Sequence, residues 1–434
     1  MNGKVLWAPR AWITGRWCER VRLSVGRDGR FDAVTPDVSP PPGATLLPGP
    51  VLPGMVDAHS HAFQRAFVGL AERRTGEHDD FWSWRDRMYG VALRITPGEL
   101  RRIAAGLYRE LRAGGYTQVC EFHYLHHDLD GRPYADEAEM AVALADAAGD
   151  AGIGLTLLPV LYERAGFAQP ALRHDQRRFA TDVAQVLRIR DAVRALRRPL
   201  VTAGVAIHSL RAARPESIAA LVKALEHDDA PIHLHVAEQT GEVDDCLAAT
   251  GLRPIEWLAR HVPLDARWQL VHATHAMPAE IEAVARSGAG VVLCPTTEAN
   301  LGDGLPDLPG WLAQGTAISI GSDSQVCRQW PAELRLLEYG QRLVLRQRNV
   351  AAAPGLGIDA TAGRLFGRCM AGGAAAAGFA AGGLVVGARA DFVVLDMDTP
   401  GLAGIEPGYE LDALVFGVDG GGFAQTWVAG RSSP

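Results

Sequence analysis

The chain has 434 residues, 48% of them apolar, and carries 43 Lys+Arg against 50 Asp+Glu for a formal charge of -7. At ~100 to 200 residues per domain, this length fits two to four domains or one large α/β barrel with an appendage. The mildly acidic balance, with no basic stripe, excludes nucleic acid as a partner. Taken in chain order, the first residues lack the uninterrupted apolar run of an export signal. Strand-like runs at Val5 to Thr14 and Val21 to Val25 lead into the Pro-rich connector SPPPGATLLPGPVLPG, which reads as turns and extended chain closing off a unit.

From Val51 the texture changes to short apolar runs separated by helical patterns, as at Pro97 to Ala113 and Thr181 to Arg197. That alternation marks repeated βα units around a parallel sheet. Eight strands are predicted: VLPGMVDAHSH, TQVCEFHY, GLTLLPV, GVAIHSL, IHLHVAE, WQLVHATH, GVVLCP and AISIGSDS. Eight closes a (β/α)8 TIM-type barrel, and most of these runs end in ionisable residues where such barrels build their active sites. Residues 371–388 are uncharged but rich in Ala and Gly, too weakly apolar for a membrane span. ARADFVVLDMD then reads as a turn and a strand, and LDALVFGVDGGG and FAQTWVAGR as short strands with glycine turns. The expected organisation is a small β-sandwich domain from both chain ends (1–50 plus 380–434) with the barrel (51–379) inserted between them.

His59 and His61 end the first strand, and residues i and i+2 of a strand face the same side, so both imidazoles can converge on one ion. His235-Val236-Ala237-Glu238 ends the fifth, offering a third nitrogen and a carboxylate that is not itself a ligand. His233 and His235 both alternate with apolar neighbours, one of them can be a core histidine, and the residue nearer the strand end is taken as the ligand. His272 ends the sixth strand and Asp323 the eighth. His59, His61, His235 and Asp323 thus make a complete set for one divalent ion per chain, Zn2+ first, with Fe2+ or Mn2+ also compatible.

Only two basic residues are lysines, Lys4 before the barrel and Lys223 in a helical pattern. Six cysteines are scattered with no C-x-x-C pair, which fits a reducing compartment. A cytoplasmic protein without membrane or nucleic-acid partners is expected.

The H-x-H, the H-x-x-E, His272, Asp323 and the terminal Ala388-Arg389-Ala390-Asp391 resemble the amidohydrolase superfamily along nearly the whole chain. Many members hold two metals bridged by a carbamylated lysine after strand four. This chain has Ile207-His208-Ser209 there, so the resemblance implies the one-metal arrangement of the superfamily's deaminases. The segments HSHAFQRAFVGLAE, DDFWSWRDRMYGVALRITP, GYTQVCEFHYLHHD, AIHSLRA and HLHVAEQTGEVDDC are more closely similar to the formimidoylglutamate deiminases of bacterial histidine degradation. That resemblance implies a homodimer and substrate binding by Gln64, Arg85, Tyr124, His208 and Arg211. The chemistry agrees, because N-formimino-L-glutamate is a small dicarboxylate and the planar guanidinium fork suits each carboxylate. Trp82 and Trp84 are expected to be wall or core aromatics.

The expected reaction is hydrolysis to N-formyl-L-glutamate and ammonia. His272 or Asp323 takes the water proton, with His272 the first choice, and Glu238 protonates the departing nitrogen. Two other readings are compatible with the residues: a mononuclear deaminase acting on a nucleobase or related heterocycle, and a catalytically silent metal-binding scaffold.

Overall fold

A computed structural model describes residues 3–433 except 75, 76 and 78. The two chain ends build one curled sheet from β1 (Lys4–Ile13), β2 (Arg16–Val25), β3 (Phe31–Thr35), β4 (Thr45–Leu46), β5 (Val51–Pro53), β15 (Phe392–Leu395), β16 (Phe423–Val428) and β17 (Arg431–Ser433). Its order is β17-β16-β15-β5-β1-β2-β3, with β4 against β1. Alternation decides the buried face: Leu6 and Ala8 of β1 turn inward with Leu23 of β2, Phe31, Phe392 and Trp427. The last two rings stack at 5.1 Å.

The barrel runs β6 (Met55–Ser60), β7 (Tyr116–His123), β8 (Gly154–Leu161), β10 (Val205–Ile207), β11 (Ile232–Val236), β12 (Trp268–His272), β13 (Gly290–Leu293) and β14 (Ala317–Ile320). The short β9 (Val201–Ala203) lies beside β8. All eight predicted strands are present, each parallel to its neighbours and buried among helices. Capping residues fix where those helices begin. Thr96 and Glu99 form a reciprocal capping box at Pro97–Ala113, and the Asp182 side chain accepts from Gln185 N at Val183–Ala195.

The seam between β6 and β14 is where the barrel closes. Asp323 N donates to His59 O (2.9 Å) and His61 N to Asp323 O (3.2 Å). Gly321 permits this approach, since a Cβ there would lie 2.7 Å from the His59 Cβ. Below it, the buried Asp57 carboxylate accepts from Ser322 N (2.8 Å) and the Ser322 hydroxyl (2.6 Å). Gln325 Nε2 donates to the Ser60 hydroxyl, which donates to Glu121.

Two expectations are corrected. VLPGMVDAHSH is not one strand: it breaks at Gly54, with β5 paired to β1 and β15 in the terminal sheet and β6 opening the barrel. The break is tight, because a Cβ on Gly54 would meet Thr117 at 2.5 Å. LDALVFG is not a strand but part of the helix Glu410–Gly417. Leu411, Leu414 and Val415 recur at helical spacing and bury one face, and that packing overrides the strand propensity of a short apolar run. Among the described residues no helix is long and apolar enough to cross a membrane, and all six cysteines are free thiols.

Candidate metal and catalytic centre

Both lysines are remote from the barrel mouth: Lys4 Nζ donates to Gly430 O in the terminal sheet, and Lys223 lies in the helix Pro215–Ala224. The mouth instead gathers imidazoles. His59 Nε2 lies 3.1 Å from His61 Nε2 and 3.0 Å from His235 Nε2, and Asp323 Oδ1 is 3.5 and 3.4 Å from the first two. A tetrahedral ion with bonds of about 2.0–2.1 Å has ligand-to-ligand edges of about 3.4 Å, so the His59, His61 and Asp323 atoms are spaced to share one small ion, while His235 groups with His59 and His272. The protons agree. His61 Nδ1 donates to Phe122 O and His235 Nδ1 to His208 O, both at 2.9 Å, which turns the lone pairs of both Nε2 atoms inward. Burial holds His59 down to about 3 against the pull of Asp323, and holds His235 well below the ordinary range, so both rings stay neutral and ligand-competent. Burial pushes Asp323 up, but His59, His272 and His61 outweigh it and hold the carboxyl below its usual range.

His272 differs in kind. Its Nδ1 faces Glu298 Oε1 at 3.3 Å, while Nε2 faces Glu238 at 3.6 Å and Asp323 Oδ2 at 3.8 Å. Burial opposes its charge, but Glu238, the bond to Glu298 and Asp323 together push it up to about 10. Burial, with Asp323 adding to it, drives Glu238 up to about 7 against His272 and Arg211. The backbone turns sharply to present these groups. Ala237, His272, Ala273, Asp323 and Gln325 all have positive φ, between 47° and 69°, a region non-glycine residues rarely occupy and one that clusters at functional sites.

Beside this centre lies a pocket lined by Gln64, Phe81, Trp84, Arg85, Met88, Tyr89, Tyr124, His208, Arg211 and Leu301, together with His61, His235, Glu238, His272 and Asp323. Every residue singled out for substrate contact therefore reaches the same cavity. Gln64 Nε2 donates to the Tyr124 hydroxyl (3.0 Å), and its Oε1 is buried without a partner. Burial, then Arg211 and His61, keep His208 a neutral imidazole. Arg85 Nε and Arg211 Nη1 are buried without hydrogen-bond partners, although burying a guanidinium N–H with no acceptor is costly.

Glu298 escaped the sequence reading: it sits on the helix Pro295–Leu301 after the seventh strand and acts on His272 from 26 residues away. Trp82, expected as wall, lies beneath both arginines, with guanidinium carbons 4.7 Å (Arg85) and 5.3 Å (Arg211) from its ring centroid. His233, two residues before His235 on the same face of the strand, lies further from the mouth and bonds Ala376 O at 2.9 Å as a core histidine.

The chain is 47% identical over 98% of its length, and 93% of the relative's, to a formimidoylglutamate deiminase of Pseudomonas aeruginosa. It is 29% identical to a 5-methylthioadenosine/S-adenosylhomocysteine deaminase of Natronomonas pharaonis, covering 88% of this chain and 80% of that one. The crystal structure of an amidohydrolase from Brucella melitensis superposes with a TM-score of 0.92 at 42% identity, over 99% of this chain and 94% of the other. The sequence profile of the amidohydrolase family matches residues 51–432. Barrel, seam and mouth chemistry agree with that match, and the chain belongs to the amidohydrolase family.

Proposed function

We propose that this protein is a formimidoylglutamate deiminase, hydrolysing N-formimino-L-glutamate to N-formyl-L-glutamate and ammonia as a step of histidine degradation. The observation that carries the reading is a pair of guanidinium groups, half-buried Arg85 and buried Arg211, each with a buried N–H (Nε and Nη1) unpartnered beside a hydrolytic centre. The 47% identity with a formimidoylglutamate deiminase supports it.

His59, His61, His235 and Asp323 would hold the ion, and their N3O donor set suits Zn2+. When bound, such an ion lowers the pKa of water toward ~7 and so supplies hydroxide at neutral pH. Glu238 takes a proton from the attacking water and passes it to the formimino nitrogen. As the C–O bond forms at the formimino carbon the C=N bond becomes single; the remaining hydroxyl proton then passes, again through Glu238, to the same nitrogen as that C–N bond breaks, the carbonyl forms and ammonia departs. Surrounded by carboxylates, His272 keeps its proton in this reading, which moves the base role sketched from sequence to Glu238. The imidazolium Nε2–H donates to the attacking oxygen, while Glu298 holds the ring through Nδ1. Arg85 and Arg211 take the two carboxylates, with Gln64, Tyr124 and His208 ordering the chain between.

Two results test this. Arg85→Met and Arg211→Met should each raise KM for N-formimino-L-glutamate by about 10- to 100-fold, the loss of a charge-assisted bond. N-formiminoglycine, with a single carboxylate, should be insensitive to one of the two variants. An undisturbed KM in both would favour a heterocycle deaminase. In the second, kcat/KM should fall tenfold per unit of pH below about 7. The sign follows from the role: a base must be ionised in the free enzyme, and a carboxyl raised to about 7 becomes protonated as pH drops through that value. A profile flat down to pH 5 would remove Glu238 from the role.

A further inference from the structure

Trp82 sits at the start of the helix Phe81–Ala92, whose N-cap Asp80 accepts from both Trp82 N (3.0 Å) and Ser83 N (3.1 Å). Ser83 in turn bonds back to Asp80 N, so the first turn is held by reciprocal bonds and the indole leaves a fixed backbone. Phe81 meets the indole edge-on at 5.1 Å, and a Cβ on Gly241 would lie 3.6 Å from its far edge, so the ring is seated on two sides. Two cations share it. The Arg85 and Arg211 guanidinium carbons lie over the indole at 4.7 and 5.3 Å, with Tyr89 and Phe81 as their second aromatic contacts at 5.5 and 5.6 Å.

Arg85 and Arg211 line the catalytic pocket and also an outer basin formed with Trp82, Phe167, Gln169 and Asp245. They therefore occupy the neck between solvent and the reacting centre. Two adjacent guanidinium groups repel each other. Arg85 has Asp86 at 3.6 Å as a loose counter-ion, and Glu242 and Glu238 outweigh burial to keep Arg211 charged. What they share is the Trp82 indole ring, whose quadrupole attracts both.

Resting on the proposed function, we propose that Trp82 is a positioning residue: one aromatic platform holds both guanidinium groups in the neck, spaced as a pair, so that a ligand with two carboxylates is recognised as a unit. The platform touches no reacting atom. Its removal lets the cations splay apart and weakens dicarboxylate capture while leaving the proton-transfer groups in place.

The test compares Trp82→Leu and Trp82→Phe with the wild type in two assays: binding of glutarate by titration calorimetry, and steady-state ammonia release from N-formimino-L-glutamate. Trp82→Leu should raise both the glutarate Kd and KM by about tenfold, with kcat within about twofold and Trp82→Phe intermediate. In an Arg211→Met background, Trp82→Leu should have a smaller effect than in the wild type, because only Arg85 is then left for the platform to hold. Effects that multiply in the double variant, a glutarate Kd unmoved in both single variants, or a kcat loss at constant KM would each overturn the proposal. If Trp82→Leu does not fold, Trp82→Phe decides by the same criteria. A wild type that binds glutarate but releases no ammonia would refute the proposed reaction, and the calorimetric comparison would still decide the role of Trp82.

Discussion

Replacing Glu238 by glutamine lowers kcat by about 1,000-fold, within the range that a positioned proton-transfer group contributes, and leaves KM within a few-fold. Glutamine preserves the shape of the buried side chain 3.6 Å from His272 Nε2 but cannot shuttle a proton between water and the leaving nitrogen. KM should be spared because the residues proposed to hold the carboxylates, Arg85 and Arg211, line another part of the pocket. Metal content should be unchanged, since the three histidines and Asp323 are untouched. Steady-state ammonia release, with metal analysis on the same preparation, checks all three statements. Retention of more than a tenth of wild-type kcat would assign the proton transfer to another group.

The second large effect separates two histidines of one strand. His235→Ala removes one of the four proposed ligands and should bring metal content well below one ion per chain and activity to background. His233→Ala, two residues earlier on β11, should retain metal and most activity. Its ring shares a strand face with His235 but sits one step further from the mouth, where it bonds Ala376 O, so the loss there is a buried hydrogen bond and its packing, about 1–3 kcal/mol of stability. Metal analysis and thermal denaturation of the two variants distinguish these outcomes. Equal metal loss in both would mean that the strand's register, and not the inward ligand, governs binding.

The sequence disclosed most where its local rules are strict. His59 and His61 share a face because strand periodicity is two, and eight apolar runs, most of them ending in ionisable residues, point to a barrel mouth. The residues it concealed act across the fold. Asp57 closes the seam by bonding Ser322, 265 positions away. The charge of His272 depends on carboxylates from the fifth strand's end, the eighth strand's end and an intervening helix, and no local pattern sums such contributions. Trp82 looked like wall because an aromatic on an amphipathic helix usually is; its contact with Arg211 exists only once the segment after the fourth strand folds over it. The Glu410–Gly417 helix was misread because four apolar residues in a row fit strand and helix alike, and neighbouring helices decide between them.

The five left-handed backbone positions at the barrel mouth bear on how this protein tolerates change. Each such conformation costs of order 1–3 kcal/mol in a non-glycine residue, so the rim is under tension that the rest of the fold must sustain. Mutations that merely loosen the helical layer or the terminal sheet would therefore be felt first as drift of His272 and Asp323 from their working angles, with activity declining before the protein melts. Conversely, a search for sturdier variants should add stability in the terminal sheet and outer helices and leave the rim alone. Easing the strain there would take away the turns that aim the reacting groups at one another.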